Sequence, residues 1–465
     1  MISNNLRKNP REISLDIIMD ITESKEKGDK FSHIVVNKTF KKYEFLDKQD
    51  RSFINKICEG TLERIITIDF IINHYSKIKV KKMKPLIRAL LRISVYQIKY
   101  MDGTADFAVC NEAIKIAKKR GFKCLSGFIN GVLRNIIRNP QKVVFPEEKK
   151  EPIKYLSIKY SAPEWLVSQF IEQYDYYIAK AMLADSIKEK QTSIRCNLQK
   201  TSVANLKEEL IKENVKVEDG FYLDYALRIS NYDSIEKLNT FQKGMFQVQD
   251  ESSMLVGEIA YPSSATRTVF ASENPIFLDV CAAPGGKSLH LAQKLDNTGL
   301  VLSRDISQKK VDLIINSIKK MGLDNIKPQV FDALDLDESL IEKVDLVLAD
   351  LPCSGLGIIA KKPDIKYNMN RGIQKDLVEL QRQILKVVYK YVKPGGVLIY
   401  STCTVNKEEN IKNIEWFTKH FPFYLESFCL ESFDSIKGDG FITLLPGIHQ
   451  TDGFFITKLI RSVEG

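Results

Sequence analysis

The sequence has no Cys-x-x-Cys pair among its eight cysteines, and no uninterrupted apolar run near the roughly 18 residues that a membrane-spanning helix requires. A zinc knuckle and a disulfide framework are therefore not indicated, and we expect a protein of a reducing compartment, by default the cytoplasm, with no membrane partner. The first twelve residues are polar and charged, so no secretory signal is expected. Internal repeats and low-complexity tracts are also missing, which excludes a solenoid or a repeat array.

The chain has 465 residues, enough for about three domains, and its hydrophobic content of 44% is ordinary for a globular protein. Its net charge of +10 is unevenly placed. Residues 1–140 hold 28 basic and 15 acidic side chains, a balance of +13, and the rest of the chain has a balance of −3. A localised basic excess is typical of a protein that binds a polyanion, although a lysine-rich solvated surface would give the same count.

Residues 1–142 are predicted to be all-helical, because apolar side chains recur there at helical spacing. The apolar stripes include Ile13–Ile21, Phe53–Ile57, Ile65–Ile71, Leu86–Val95 and Phe128–Ile136. Basic residues lie between and beside these stripes: Lys79, Lys81, Lys82, Lys84, Lys115, Lys118, Lys119, Arg120, Lys123, Arg134 and Arg138. Helix propensity alone leaves open whether this domain binds RNA or docks on a protein.

A join rich in proline and charge, at residues 140–155, is the best domain boundary. Residues 150–240 are predicted to form a small α+β module whose role stays open. Its predicted helices are Pro163–Tyr174, Ala179–Ser186 and Ser202–Glu213, and its predicted strands are Thr192–Asn197 and Ala226–Ser230.

Residues 241–465 alternate between strand and helix patterns, which indicates a parallel sheet covered by helices, with ligands at the carboxyl ends of its strands. The predicted strands are Ile276–Val280, Leu300–Ser303, Pro328–Phe331, Val344–Ala349 and Val397–Tyr400. Helices are predicted at Gln308–Met321 and at Leu377–Val392, the second of them closed by Pro394-Gly395-Gly396. Gly453–Ile460 is the candidate for an antiparallel final strand.

A glycine turn follows the first of these strands, in the run Asp279–Ser288. Pro284-Gly285-Gly286 lets the backbone approach a ligand at a helix N-terminus, although an ordinary tight turn would look similar. Asp305 follows Gly286 by 19 residues at the end of the next strand, where an acid suits ribose hydroxyls, and Asp332 follows the third strand, where an adenine edge would lie. The turn lacks the spacing of dinucleotide-binding and P-loop motifs, so S-adenosylmethionine is the favoured cofactor.

Two cysteines follow apolar runs that are predicted to end at the same edge of the sheet. Cys353 lies in the run Ala349–Gly355 with Asp350, and Cys403 lies in Tyr400–Thr404. A thiolate that adds to carbon 6 of a pyrimidine makes carbon 5 nucleophilic enough to accept a methyl group. An acid and two thiols beside a cofactor turn therefore indicate methyl transfer to a pyrimidine ring carbon, although either cysteine alone would be interpreted as a buried core residue.

Five runs together resemble the motifs of the NOL1/NOP2/Sun family of RNA cytosine-5 methyltransferases. They are Gly244–Ser253, Asp279–Ser288, Asp350–Gly355, Ser401–Thr404 with Glu409-Asn410, and His449–Phe455. The N-terminal helices in turn resemble NusB. The resemblance implies a multidomain protein with a NusB-like RNA-binding domain (1–142), the α+β module (150–240) and a Rossmann-like methyltransferase domain (241–465). It also implies a ribosomal RNA partner, with transfer RNA and a non-catalytic assembly role as alternatives.

The same resemblance implies roles for individual residues. Cys403 is the expected nucleophile, Asp350 the acid that holds the cytosine around N3, and Cys353 the thiol that assists product release. The Pro352-Cys353 dipeptide also resembles the nucleophile motif of DNA cytosine methyltransferases, so Cys353 as the attacker is the alternative. The expected cofactor-binding residues are Cys281, Ala282, Ala283, Pro284, Gly285, Gly286, Lys287, Asp305, Asp332 and Asp350. Neither a metal nor a second subunit is expected.

Other residues of these motifs receive no chemical step. Asp250 and Glu409-Asn410 are interpreted as supporting residues, and His449 as a turn residue. Two positions depart from the family pattern. Leu351 replaces the usual alanine, which is expected to alter the pocket, and Ser288 replaces the usual threonine but keeps its hydroxyl.

Overall fold

A computed structural model describes residues 9–23, 32–43, 46–261, 274–296, 298–429 and 437–463 of the protein. The chain divides into two units. The first consists of Met1–Lys188 with Ile359–Asn368, and the second of Glu189–Ile358 with Met369–Gly465. The domain boundaries expected from the sequence at residues 142, 150 and 241 stay predictions. None of the described helices is both long enough and apolar enough to cross a bilayer.

All regular secondary structure in the described residues of the first unit is helical, as predicted for residues 1–142. Its helices, in chain order, are α1 (Pro10–Glu23), α2 (Ser32–Lys42), α3 (Lys48–Glu63), α4 (Ile65–Tyr75), α5 (Pro85–Tyr100), α6 (Asp106–Lys119), α7 (Ser126–Arg138), α8 (Pro152–Tyr160), α9 (Glu164–Gln173) and α10 (Tyr176–Asp185). Local chemistry sets several of the ends: the Asp47 side chain accepts the Asp50 N–H to cap α3, and Pro85 opens α5. The predicted apolar stripes form one core, in which Ile54 and Leu90 are almost completely buried.

The second unit begins with a small antiparallel sheet. Its elements are β1 (Thr192–Cys196), α11 (Val203–Lys212), β2 (Lys216–Asp219), β3 (Ala226–Ser230), α12 (Asn239–Gln242) and β4 (Phe246–Val248). The strand order is β2-β3-β1-β4, so the predicted α+β character is confirmed. Two strands were not predicted: β2 is a polar edge strand without apolar alternation, and β4 is only three residues long.

A larger sheet follows. The helices and strands of this part of the chain, of which α16 belongs to the first unit, are α13 (Glu251–Ala260), β5 (Ile276–Asp279), α14 (Gly286–Lys294), β6 (Leu300–Asp305), α15 (Gln308–Met321), β7 (Ile326–Val330), β8 (Val344–Asp350), α16 (Ile365–Asn368), α17 (Arg371–Val388), β9 (Val392–Thr402), α18 (Ile411–His420), β10 (Phe423–Leu425), β11 (Phe428–Cys429), β12 (Lys437–Gly438), β13 (Phe441–Leu444) and β14 (Phe454–Arg461). β11 and β12 form a separate two-stranded sheet. The order in the larger sheet is β10-β14-β9-β8-β5-β6-β7, with β13 on β14. β14 runs antiparallel to β9, which confirms the predicted final strand.

The predicted and observed boundaries differ most at α17 and β9. Helix α17 begins at Arg371, six residues before the predicted start, because the Asn370 side chain accepts the N–H groups of the first turn. β9 begins at Val392 and contains the Pro-Gly-Gly run that was interpreted as the end of a helix. An irregularity in the β8–β9 register, after the pair Val344 and Val392, accommodates this run.

The sheet topology determines where a ligand binds. β5 lies between β6 and β8 and is parallel to both, so the direction of the winding changes at β5. In such sheets the crevice lies at the carboxyl ends of the central strands. The turn after Asp279, Asp305 at the end of β6, Asp350 at the end of β8, and Cys403 just after β9 all lie at this edge.

Candidate active site

The cofactor turn between β5 and α14 is tied to the end of β6. The Ala283 N–H donates to Oδ2 of Asp305 at 2.9 Å, and the Ala282 N–H donates to the Arg304 carbonyl at 2.8 Å. Gly285 has a φ of 105°, a conformation that side chains with a Cβ rarely adopt, so this position requires glycine. A Cβ on the next residue, Gly286, would lie 3.7 Å from the nearest atom, in the amide of Gln249.

The start of α14 is suited to an anionic ligand group. The first N–H groups of a helix have no partner within the helix, and the helix dipole adds positive potential there. Just beneath, Ser288 donates its hydroxyl to Asp279 Oδ2 at 2.5 Å and lies 2.9 Å from the Ser303 hydroxyl. Burial raises the pKa of Asp279 to about 7. The open turn and free helix end fit the carboxylate of S-adenosylmethionine.

The two acids predicted for the nucleoside differ in their surroundings. Asp305 is 3% exposed and accepts from the turn, from the Ile306 N–H at 2.8 Å and from Lys310 Nζ at 3.0 Å. It therefore holds the turn in place as well as ending β6. Asp332 is half-buried and accepts the Leu334 N–H at 3.0 Å.

The two candidate thiols are brought together although 50 residues separate them in sequence. The Sγ atoms of Cys353 and Cys403 lie 3.3 Å apart, and both residues are half-buried. The pKa of Cys353 is raised well above its ordinary value by its hydrogen bond to Cys403, by burial and by the nearby Glu409 carboxylate. A raised pKa favours the protonated thiol, so Cys353 is suited to donate a hydrogen bond to the sulfur of Cys403.

An ion pair connects the cofactor helix to the thiol region. Lys287 Nζ donates to Asp350 Oδ2 at 2.6 Å, and the Ser401 hydroxyl donates to Asp350 Oδ1 at 2.8 Å. Burial opposes the charge on Lys287, but Asp350 and Asp279 outweigh it, so the lysine pKa is raised. Lys287 is therefore a paired ammonium next to Asp350 rather than a solvated residue at a helix start.

Backbone hydrogen bonds fix the loop that carries Cys353, residues 351–358, which we call the Cys353 loop. The Gly357 N–H donates to the Cys403 carbonyl at 3.0 Å, and the Gly453 N–H donates to the Gly357 carbonyl at 2.8 Å. A Cβ on Gly357 would lie 1.9 Å from the Gly453 carbonyl oxygen, which no side chain can tolerate. The close approach of three chain segments therefore requires glycine at this position.

Comparison with known proteins identifies the domains of the chain. Residues 268–460 match the model of 16S rRNA methyltransferase RsmB/F, residues 8–138 match the NusB family, and residues 162–236 match the ferredoxin-like domain of RsmF/B-like methyltransferases. The probable ribosomal RNA small subunit methyltransferase B of Bacillus subtilis is 34% identical over 97% of this chain and 98% of its own length. Its counterpart in Synechocystis is 30% identical over 97% of this chain and 99% of its own.

The chain belongs to the RsmB/F family of 16S rRNA methyltransferases. Among solved structures, that of PH0851 is similar over 98% of this chain and 99% of its own, with a TM-score of 0.77 and 26% identity. The expected NusB-like domain, α+β module and Rossmann-like methyltransferase domain are confirmed. As a member of the RsmB/F family the protein is a methyltransferase with S-adenosylmethionine as its methyl donor.

The two departures from the family pattern have structural explanations. Leu351 is 3% exposed and packs in the apolar core with residues of β5, β8 and α17, so its extra bulk is accommodated in the core. Ser288 uses its hydroxyl to hold Asp279, as described above. The ring nitrogen Nδ1 of His449 accepts the Leu445 N–H at 2.8 Å, which agrees with the interpretation of His449 as a turn residue.

Several residues of this RsmB/F site were not predicted as functional. Gln249 lies beside the glycine turn, Ser401 holds Asp350, and Gln381 donates to the Pro352 carbonyl at 2.9 Å. A signal was available for Gln381, since this polar residue lies on the same helix face as the apolar residues Ile384, Leu385 and Val388 of α17. Among the described residues, no group of three or more His, Cys, Asp or Glu is arranged to hold a metal ion.

Proposed function

We propose that this protein transfers a methyl group to carbon 5 of a cytidine in small-subunit ribosomal RNA, through a transient bond between Cys403 and carbon 6. The observation that carries the proposal is the 3.3 Å separation of the Cys353 and Cys403 sulfurs, at the sheet edge that also holds Asp350. The names of the relatives support ribosomal RNA as the substrate. A cytoplasmic, monomeric protein without a metal is part of the same proposal.

The proposed cofactor site is formed by Cys281, Ala282, Ala283, Pro284, Gly285, Gly286 and Lys287, with Asp305, Asp332 and Asp350. The turn residues supply backbone N–H groups, Asp305 the ribose acceptor and Asp332 a contact at the adenine. Bound S-adenosylmethionine supplies a methyl group that its sulfonium already activates, so no metal is needed.

Cys403 is proposed to attack because the raised pKa of Cys353 favours Cys353 as the protonated partner of the thiol pair. The Cys403 thiolate adds to carbon 6, and the electron pair of the C5–C6 double bond becomes available at carbon 5. Carbon 5 takes up the methyl group, and the electron pair of the broken methyl–sulfur bond stays on the cofactor's sulfur. Solvent then takes the proton of carbon 5, the double bond re-forms, and the C6–S electron pair returns to Cys403. The Cys353 thiol, whose sulfur lies 3.3 Å from that of Cys403, donates a hydrogen bond to the departing thiolate and thereby assists release.

Asp350 and Lys287 are proposed to act on the other side of the ring. Asp350 holds the cytosine around N3, and the paired ammonium of Lys287 offsets the negative charge that spreads into the ring when the thiolate adds. Ser401 keeps Asp350 in place from the neighbouring strand. The target base must leave its stack, because neither thiol can otherwise reach carbon 6.

Substitution of each cysteine tests the proposal. With S-adenosylmethionine and RNA that contains 5-fluorocytidine, Cys403→Ala should form no covalent adduct that survives denaturation, whereas Cys353→Ala should form one. If Cys403→Ala forms the adduct and Cys353→Ala does not, the two roles are reversed. If the double variant methylates RNA normally, the covalent route is wrong.

A further inference from the structure

Glu409 lies at the start of α18, and its carboxylate is completely buried beside the Cys353 loop. One oxygen accepts the Ser354 N–H at 2.8 Å and the Gln381 amide at 3.1 Å. The other accepts the Ser354 hydroxyl at 2.5 Å and the Asn406 amide at 3.0 Å. Four donors on one buried carboxylate are far more than packing requires, and two of them belong to the residue that follows Cys353.

The contacts of Glu409 surround the peptide segment that carries Cys353. Gln381, which donates to Glu409, also donates to the carbonyl of Pro352, so the backbone is held on both sides of the thiol. The Ser354 hydroxyl lies 2.8 Å from the hydroxyl of Thr404, the residue after Cys403. The network therefore holds the backbone on both sides of Cys353 and links the residue after Cys353 to the residue after Cys403.

The next residue, Asn410, holds the segment that carries Cys403. Its amide donates to the Thr404 carbonyl at 2.9 Å, and its oxygen accepts the Thr402 hydroxyl at 2.6 Å. Two consecutive residues just before α18 thus hold the residue after Cys353 and both neighbours of Cys403. The separation of the two sulfurs depends on this arrangement, because the thiols themselves are joined only by a weak S–H hydrogen bond.

We propose that Glu409 is a positioning residue for the release step: its carboxylate holds the Cys353 loop so that the Cys353 thiol faces the sulfur of Cys403. This inference rests on the proposed function, in which Cys353 assists the departure of Cys403 from carbon 6. The hydrogen bonds of Glu409 go to Ser354, Gln381 and Asn406, so Glu409 acts on Cys353 through Ser354. Burial raises the pKa of Glu409, but its four donors act in the opposite direction and suit the ionised carboxylate.

Glu409→Gln tests the inference with almost no change in shape. In the variant an NH2 group replaces one of the two carboxylate oxygens. This group cannot accept hydrogen bonds, so the loop loses either the Ser354 N–H and Gln381 contacts or the Ser354 hydroxyl and Asn406 contacts. We expect multiple-turnover methylation to fall by about 10²-fold, since a displacement of about 1 Å has that effect. Covalent RNA–protein adduct through Cys403 should meanwhile accumulate on ordinary cytidine RNA, as it should in Cys353→Ala.

The matched control is Glu408→Gln, which removes the neighbouring carboxylate. Glu408 is 52% exposed and pairs with Lys412, so its loss should change neither turnover nor adduct. Ser354→Ala is a second, milder variant that removes only the hydroxyl contact and should accumulate adduct to a smaller extent. If Glu409→Gln fails to fold, Ser354→Ala alone decides the outcome.

The balance between adduct and turnover is a readout that a purely structural role would not produce, because a site that is merely damaged loses both. Adduct and turnover that decline together would therefore overturn the role of Glu409. If Cys353→Ala itself accumulates no adduct, the proposed function fails instead, and the two failures are thereby distinguished.

Discussion

Lys287 Nζ lies 2.6 Å from Asp350 Oδ2 and so connects the first turn of α14 to the end of β8. The side chains are only 14% and 26% exposed, so salt screens this pair less than it would screen a surface pair. Lys287 Nζ also lies 5.1 Å from the centre of the Phe454 ring. The ammonium is thus held at one place, between the cofactor turn and the acid that is proposed to hold the base.

Replacement of Lys287 by methionine should lower the rate of methyl transfer at saturating substrates by about 10²-fold. The estimate follows from the typical cost of removing one group that stabilises developing negative charge. Single-turnover methylation of RNA measures it, with cofactor affinity measured separately. Lys393→Met is the control, because Lys393 forms the equivalent pair with Asp345 at the opposite end of β8. Equal losses in both variants would show that the effect is structural.

Asp305→Asn should weaken binding of S-adenosylmethionine. The variant loses an acceptor for the ribose. Its NH2 group also replaces one carboxylate oxygen, so either the hydrogen bond from the Ala283 N–H or that from the Ile306 N–H is lost. A loss of about 1–3 kcal/mol is expected, which corresponds to roughly 5- to 150-fold in affinity. Calorimetric titration of the cofactor measures this loss. Asp312→Asn, on the exposed face of α15, is the control, and equal affinities in all three proteins would rule out the role of Asp305.

The predicted parts of the site are those that a short run of consecutive residues is enough to indicate. The glycine turn and the strand ends at Asp305, Asp350 and Cys403 follow from local patterns of a few residues. The pairing of Lys287 with Asp350 and that of Cys353 with Cys403 depend on which strands are neighbours in the sheet. The local sequence patterns do not contain that information.

The strands also show where local sequence patterns are sufficient and where they are not. β3 was predicted with its observed ends, because Ala226–Ser230 carries apolar side chains between turn residues. β2 was missed because an edge strand with solvent on one side needs few apolar residues. The Pro394–Gly396 run inside β9 was misinterpreted as a helix end, because only the bulge opposite Val344 shows that a strand can continue through it.

The basic excess of the first 140 residues predicts RNA affinity that depends on salt. Lys81, Lys82 and Lys84 are exposed just before α5. Replacing all three by glutamine should weaken RNA binding and reduce the slope of log K against log salt by about 0.7–0.9 for each phosphate that is no longer neutralised. Fluorescence anisotropy at several salt concentrations measures both quantities. The control replaces three exposed lysines of the second unit, Lys319, Lys327 and Lys343, and an equal effect there would argue against a localised site.

Lys366 gives a prediction about stability in the first unit. It is 1% exposed, and its ammonium donates to the Glu63 carbonyl at 2.8 Å. Burial lowers its pKa to about 7, with Glu63 acting against this shift and Arg64 adding to it. An unfolded chain keeps the ordinary lysine pKa of about 10.4. Between these two values the unfolded state binds more protons, so raising the pH favours the folded state.

The free energy of unfolding of the natural protein, minus that of Lys366→Met, should therefore rise between pH 7 and pH 9. The upper limit of the slope is about 1.4 kcal/mol per pH unit, because the proton is bound in only one of the two states. Urea unfolding of both proteins at pH 7, 8 and 9 gives the difference. Lys362→Met removes an exposed lysine from the same segment, and its difference should stay constant with pH. A constant difference for Lys366→Met as well would mean that Lys366 remains charged inside the folded unit.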